Sequence, residues 1–252
     1  MYRFNIRSLA LVIGLGFMGF TSCKTLYTRA SDSYQGYEMN NTITADSAVV
    51  ALYAPYKQQM ESEMNRVIGY SDTYLTKTRD AESLIGNFFA DALLDIGKTL
   101  DKDAVFSFAT KGGIRTDMRQ GDITVGKIFE IMPFENKISI LELSGKDVLA
   151  LADFIAQTGG QPIGGMRMEI EGKKATSVKI NGQDIDPAKQ YKMVTYDYIA
   201  NGGDNLDALA NPVSRKDYES KVREGLMDYI GRQTKAGKHI NAVLDGRVKI
   251  SQ

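Results

Sequence analysis

Residues 111–123 read KGGIRTDMRQGDI and follow directly on the apolar run AVFSFA at 104–109. A short apolar run bounded by turn residues reads as a buried strand, so Gly112 and Gly113 stand where that strand must turn. Glycine lets the backbone turn sharply or come close to a bound molecule. Arg115, at the exit, carries a planar fork of donors suited to phosphate or carboxylate. Strand, glycine turn and arginine together form one wall of an anion site.

Working outward, ESLIGNFFADALLDIGKTL (82–100) places Leu84, Ile85, Phe88, Phe89, Ala92, Leu93 and Ile96 on one helical stripe. TVGKIFEI (124–131) reads as a short helix after Thr124, and KISILEL (137–143) as a strand of aliphatic and β-branched residues. SGKDVLALADFIAQTGG (144–160) opens with an S-x-x-D capping pattern and stops at two glycines, a helix marked at both ends. MRMEI (166–170) is a strand, and Asn181-Gly182 between apolar runs is a hairpin signal. YKMVTYDYIA (191–200) reads as a strand running into NGGDN, KDYESKVREGLMDYIGRQ (216–233) as one amphipathic helix, and RVKI (247–250) as the closure of a sheet edge. Nearer the start, residues 47–65 have helical spacing interrupted by Pro55, and RVIGY (66–70) is a strand. Hairpins mixed with separated helices give an α+β class rather than a regular βαβ series.

The first residues, MYRFNIR, carry two arginines and lead into the apolar run SLALVIGLGFMGF and then TSC. This is the charged and apolar pattern of a secretory signal, assigned to residues 1–22. The run is too short and Gly-rich for a permanent membrane span. Cys23, the single cysteine, stands where a bacterial lipobox ends. Acyl chains there would anchor the protein to a membrane without spanning it, giving a secreted, membrane-anchored lipoprotein of the periplasm or outer membrane. Residues 23–44 are polar and aperiodic, a tether, and residues 45–252 form the domain. With one cysteine there is no intrachain disulfide. Lys+Arg and Asp+Glu balance at 31 each, so no global basic field exists for a nucleic-acid backbone.

Four segments combine polar content with flanking core: ESLIGNFFADALL, KGGIRTDMRQGDITVGKIFEIMPFENK, GGMRMEI and TYDYIANGGDN. In this order and spacing they resemble the C-terminal domain of the 5′-nucleotidase family of periplasmic and cell-surface nucleotide hydrolases, from roughly Val67 to Ile250. GGIR alone is a weak signal; the ordered set is specific. The resemblance implies a layered α/β/β/α domain and a nucleotide or nucleoside ligand. It assigns Phe134 and Tyr198 to the two faces of a nucleobase sandwich, where stacking is worth ~1–3 kcal/mol per base. It assigns Asn136 and Asp204 to the base edge and ribose hydroxyls. Arg115 goes to the sugar–phosphate end, with Arg79 as a second arginine, and Gly165 to a place where backbone approaches the base.

Packing roles compete with each assignment. Phe134 after Pro133 could plug a core turn, Tyr198 could pack on its strand, the arginines could pair with surface carboxylates, and Gly202-Gly203-Asp204 could be a plain turn. The ordered set favours function for Phe134, Tyr198, Arg115 and Asp204, while Asn87 and Asp91 fall to helix packing. Four positions depart from the family pattern: Thr110 for Asn, Lys111 for a small residue, Glu135 for the Gly of PFGN, and Tyr198 for Phe. Glu135 puts a carboxylate beside the base slot.

Enzymes of that family carry their catalyst in an N-terminal metallophosphoesterase domain, where two metal ions activate water and clamp the phosphate. This chain has one histidine, His239, which reads as a solvated helix-end residue. One imidazole cannot build two transition-metal sites. There is no D-x-H, N-H-E, G-H-x-H or GxSxG string, and no free thiol in the domain. The expectation is a chain without cofactor or catalytic residues of its own. It would be the recognition half of a split 5′-nucleotidase, with divalent metals in a separate secreted metallophosphoesterase chain. The competing expectation is a stand-alone nucleotide- or nucleoside-binding lipoprotein. A large exposed apolar surface on the N-terminal side of the domain would favour the split enzyme.

Overall fold

The computed structural model describes Tyr27 and residues 29–251; the leader and Cys23 lie outside the described residues. The chain divides into two compact units, residues 1–50 and 51–252. Within the first, the described residues before Ser47 hold a turn at 41–43 and neither helix nor strand. Helix α1 (Ser47–Met64) then begins, with the Asp46 carboxylate accepting from the backbone N–H groups of Ala48 and Val49. It runs unbroken through Pro55, contrary to the interruption expected there. The proline removes its own N–H and so strips the Ala51 carbonyl of its helical partner. No residue of α1 is buried, so water can take that carbonyl. Leu52, Tyr53, Tyr56 and Met60 are all exposed, and their spacing sets them on one side of the helix.

The remaining elements, in chain order, are β1 (Val67–Ser71), α2 (Leu84–Leu100), β2 (Ala104–Phe108), β3 (Gly121–Thr124), α3 (Val125–Ile131), β4 (Lys137–Ser144), α4 (Gly145–Gln157), β5 (Ile163–Gly164), β6 (Met166–Glu171), β7 (Lys174–Ile180), β8 (Gln183–Asp184), β9 (Gln190–Tyr196), α5 (Asp197–Ala200), β10 (Ser214–Lys221), α6 (Val222–Lys235) and β11 (Val248–Ser251). The fold is α+β. A five-stranded sheet runs β10-β4-β9-β2-β5, a four-stranded sheet runs β11-β6-β7-β8, and β1 pairs with β3. Pairing is antiparallel except at β2–β9 and β11–β6.

Helix α2 starts at Ser83, whose hydroxyl accepts from the Gly86 N–H at 3.2 Å. Its stripe of Ile85, Phe88, Phe89, Ala92, Leu93 and Ile96 is buried against β2, β5, β9 and α6. Each large side chain so covered contributes roughly 1.5–3 kcal/mol relative to exposure. Helix α4 packs on the four-stranded sheet and reaches the five-stranded one where Phe154 meets Phe108 edge-on at 6.4 Å. The S-x-x-D signal at its start is a full capping box between Ser144 and Asp147. Asn181 and Gly182, both at positive φ, make the turn from β7 to β8.

Two boundaries differ from the sequence reading. The strand through Tyr191 ends at Tyr196, so Tyr198 sits in the helical turn α5. The single helix read over 216–233 is strand β10 followed by α6. Among its large apolar side chains, Val222, Leu226 and Ile230 carry the helical period and are buried. The preceding SRKDYESK pairs as an edge strand with β4. Edge strands tolerate charge because charge blocks further pairing, which erases the alternation that would have marked it.

Register then sets the site. Strand β2 is parallel to β9, and β4 and β10 pair antiparallel on the other side, with Ile138 opposite Tyr196 and Lys221 opposite Lys137. The C-terminal ends of β2, β9 and β10 therefore meet the N-terminal end of β4. The segments leaving these ends, 109–115, 132–136, 197–205 and 221–223, become neighbours.

Candidate functional site

The opening stretch leaves β2 through a tight turn, with the Gly113 N–H donating to the Thr110 carbonyl at 3.0 Å. Ile114 is buried as an anchor. The Arg115 N–H donates to the carbonyl of Ile131, the last residue of α3, at 2.9 Å. That bond sets Arg115 beside the loop Met132–Asn136, and its guanidinium lies 5.9 Å from the centre of the Phe134 ring. The same guanidinium donates to the Gly112 carbonyl at 3.2 Å.

Across the sheet end, β9 delivers Tyr196, fully buried, with its hydroxyl 3.4 Å from the Thr110 N–H and hydroxyl. Burial pushes its phenol up from the usual range, so it stays neutral. Two residues on, the Tyr198 hydroxyl donates to Asp204 at 3.1 Å. Gly202, Asp204 and Asn205 all take positive φ to fold this loop back. A side chain at Gly203 would stand 2.5 Å from the Tyr198 ring, so the loop closes against that ring only with glycine there.

The result is a cleft of about 300 Å³ lined by Gly112, Gly113, Arg115, Phe134, Asn136, Tyr196, Tyr198 and Asp204. Phe134 is 40% and Tyr198 47% exposed, so neither ring is a core plug. Apolar faces with a few convergent polar groups suit a small organic ligand. Here those groups are a guanidinium, a carboxylate and an amide.

Five of the seven binding residues read from the sequence thus line one cleft. Two do not. Arg79 is exposed and stands outside the cleft lining, its carbonyl accepting from the Lys111 ammonium at 3.2 Å. Gly165, at positive φ between β5 and β6, lines a separate recess with Asp91 and Arg247. The backbone that approaches it is the Val105 carbonyl. Lys111 also donates to the Gly159 carbonyl at 3.2 Å, and burial pushes its ammonium down against the charge of Asp80. Asn87, buried, holds Glu82 and the Val243 carbonyl, and the exposed Asp91 pairs with Arg247.

Tyr196 and the segment 221–223 were missed in the sequence. The signal for the latter was Glu135, a carboxylate in an otherwise neutral loop. It turns from the cleft to ion pairs with Lys221 and Arg223. Those two cations, Lys221 first, hold its carboxyl down from 4.5 to about 2. His239 is exposed and bonds Asp72 at 2.7 Å, and among the described residues no three His, Cys, Asp or Glu side chains converge.

The family profile of the 5′-nucleotidase C-terminal domain matches residues 62–211. The silent protein UshA(0) of Salmonella typhimurium is 29% identical over 178 residues, which are 67% of this chain and 32% of that protein. A cell wall protein of Listeria monocytogenes is 27% identical over 234 residues, 82% of this chain and 30% of its own. The crystal structure of a 5′-nucleotidase precursor from Thermus thermophilus superposes with a TM-score of 0.69 at 29% identity, covering 81% of this chain and 43% of that one. The present chain thus spans about a third of the length of these curated relatives.

Proposed function

This chain belongs to the 5′-nucleotidase C-terminal domain family, and from that premise we propose that it is the nucleotide-recognition half of a split 5′-nucleotidase. A nucleobase stacks between Phe134 and Tyr198, Asn136 meets the base edge, Asp204 takes the ribose hydroxyls, and the Arg115 fork addresses the phosphate. A separate secreted metallophosphoesterase chain supplies the two metal ions that activate water for hydrolysis. The single histidine of this chain supports that division of labour. So does the exposed apolar stripe of α1, on the N-terminal side of the domain, as a surface left for a partner. The leader and Cys23 support a secreted, lipid-anchored location, and the cell wall relative supports secretion.

One observation carries the reading: five side chains from three separate segments converge on one cleft whose two aromatic walls are half-exposed. Calorimetric titration of the purified chain with adenosine, AMP and uridine tests it, and AMP should bind more tightly than adenosine. Absence of binding to all three would overturn the reading. Sustained turnover of AMP with added Mn²⁺ or Zn²⁺, scaling with this chain through repurification, would overturn the need for a catalytic partner. Binding without any stimulation of a metallophosphoesterase would leave a stand-alone nucleotide-binding lipoprotein.

A further inference from the structure

The loop that carries Phe134 and Asn136 is gripped from behind by three consecutive residues at the junction of β10 and α6. The Lys221 ammonium pairs with one oxygen of Glu135, and Arg223 with the other. The Val222 N–H donates to the Asn136 carbonyl at 2.9 Å. One Arg223 nitrogen donates to the Phe134 carbonyl at 3.2 Å and, more weakly, to the Met132 carbonyl at 3.4 Å. The guanidinium lies 4.0 Å over the Phe129 ring of α3. Every residue of the loop except Pro133 is bonded to this tripeptide.

Arg223 is 5% exposed and its Nε has no hydrogen-bond partner among the described residues. A buried charge with an unmet donor costs stability that an apolar residue of the same volume would not. What an arginine gives in return is a rigid fork that fixes several acceptors in one geometry. Phe134 needs such fixing, because a ring 40% exposed has too little packing to set its own orientation. Arg223 does not line the cleft, so it acts on the ligand only through the loop.

We propose that Lys221, Val222 and Arg223 form a clamp that positions Phe134 and Asn136 for the nucleobase, with Arg223 as its principal positioning residue and Glu135 as the handle it holds. The proposal rests on the nucleotide reading of the cleft. It gives the Gly-to-Glu departure at position 135 a purpose: the carboxylate does not read the base but ties down the loop that does.

The test compares wild type with Glu135→Gln, Lys221→Met and Arg223→Gln. Glu135 is 61% exposed, so the first variant keeps the fold even if the last does not. Two quantities are read: amide hydrogen exchange of Val222, whose N–H is held by the Asn136 carbonyl, without ligand, and affinity for adenosine against ribose 5-phosphate, which has no base. The clamp predicts faster exchange in Glu135→Gln and Arg223→Gln. It also predicts adenosine weakened roughly tenfold, a part of what one stacking face is worth, with ribose 5-phosphate nearly unchanged. A merely structural role would weaken both ligands together, and that result would overturn the proposal. So would unchanged exchange, or faster exchange with undiminished adenosine affinity. If wild type binds neither ligand, the nucleotide reading fails, whereas the exchange data decide separately whether the clamp orders the loop.

Discussion

The two aromatic walls of the cleft are built on opposite plans. Tyr198 is held by its own neighbourhood: its hydroxyl reaches Asp204 six residues on, its N–H bonds the Asp197 carboxylate, and Gly203 folds in against its ring. Phe134 is held by residues almost ninety positions away, through the Arg223 and Lys221 contacts with Glu135 and the loop carbonyls. A wall built locally depends on backbone conformation and is sensitive to an added Cβ. A wall built by distant charges is sensitive to neutralisation instead. Both serve one end: presenting half of an aromatic ring to solvent without letting it collapse into the core.

The largest effect should come from breaking the local wall. In Gly203→Ala the new Cβ would lie 2.5 Å from the Tyr198 ring and 2.6 Å from its carbonyl. Backbone cannot yield as a side-chain tip can, so the ring must leave its place. Nucleoside affinity should fall roughly a hundredfold, near the full value of one stacking face, as read by calorimetry. Unchanged affinity would show that Tyr198 does not depend on that loop.

Next in size is Arg115→Ala, which leaves both walls standing and removes the group between them. Charge-assisted hydrogen bonds are worth roughly 1.5–3 kcal/mol, so AMP should weaken by about 10- to 150-fold. Adenosine, lacking phosphate, should change little. Equal losses for the two ligands would mean that Arg115 acts through its 5.9 Å contact with Phe134 and not on phosphate.

The smallest effect concerns the distant wall and pH. The Glu135 carboxyl is held down in the folded protein, from 4.5 to about 2. Its contribution is therefore complete above 4.5 and is lost as pH falls from there toward about 2. The melting-temperature difference between wild type and Glu135→Gln should stay level from neutral pH down to 4.5 and close below it. Closure already near neutral pH would mean that the ion pairs do not hold that carboxyl.

The same contrast explains what the sequence disclosed. Turn chemistry is local, so the GGIR turn, the NGGD loop, the Ser144 capping box and the Asn181-Gly182 hairpin were all legible from neighbouring residues. The convergence of Arg115, Phe134, Asn136, Tyr198 and Asp204 followed from the order of the motifs. Gly165 lines a different recess, because a glycine's freedom shows that backbone comes close without showing which backbone. Arg79 stands outside the cleft lining, because motif order does not say where an exposed side chain points. The clamp was illegible for a further reason. The charged edge strand β10 has no alternation, so the strand–helix junction at 221–223 was hidden inside an apparent helix, and Glu135 was left without visible partners.

The central claim is that Phe134 and Tyr198 are ligand faces and not packing, and one paired measurement tests it most directly. Melting temperature and adenosine affinity would be determined on Phe134→Ala and Tyr198→Ala. Truncating a buried aromatic leaves a cavity and costs ~3–5 kcal/mol of stability. Truncating a half-exposed base face should leave the melting temperature almost unmoved while weakening adenosine by ~1–3 kcal/mol, about 5- to 150-fold. Large losses of stability with no selective loss of adenosine binding would contradict the account and return both rings to the core.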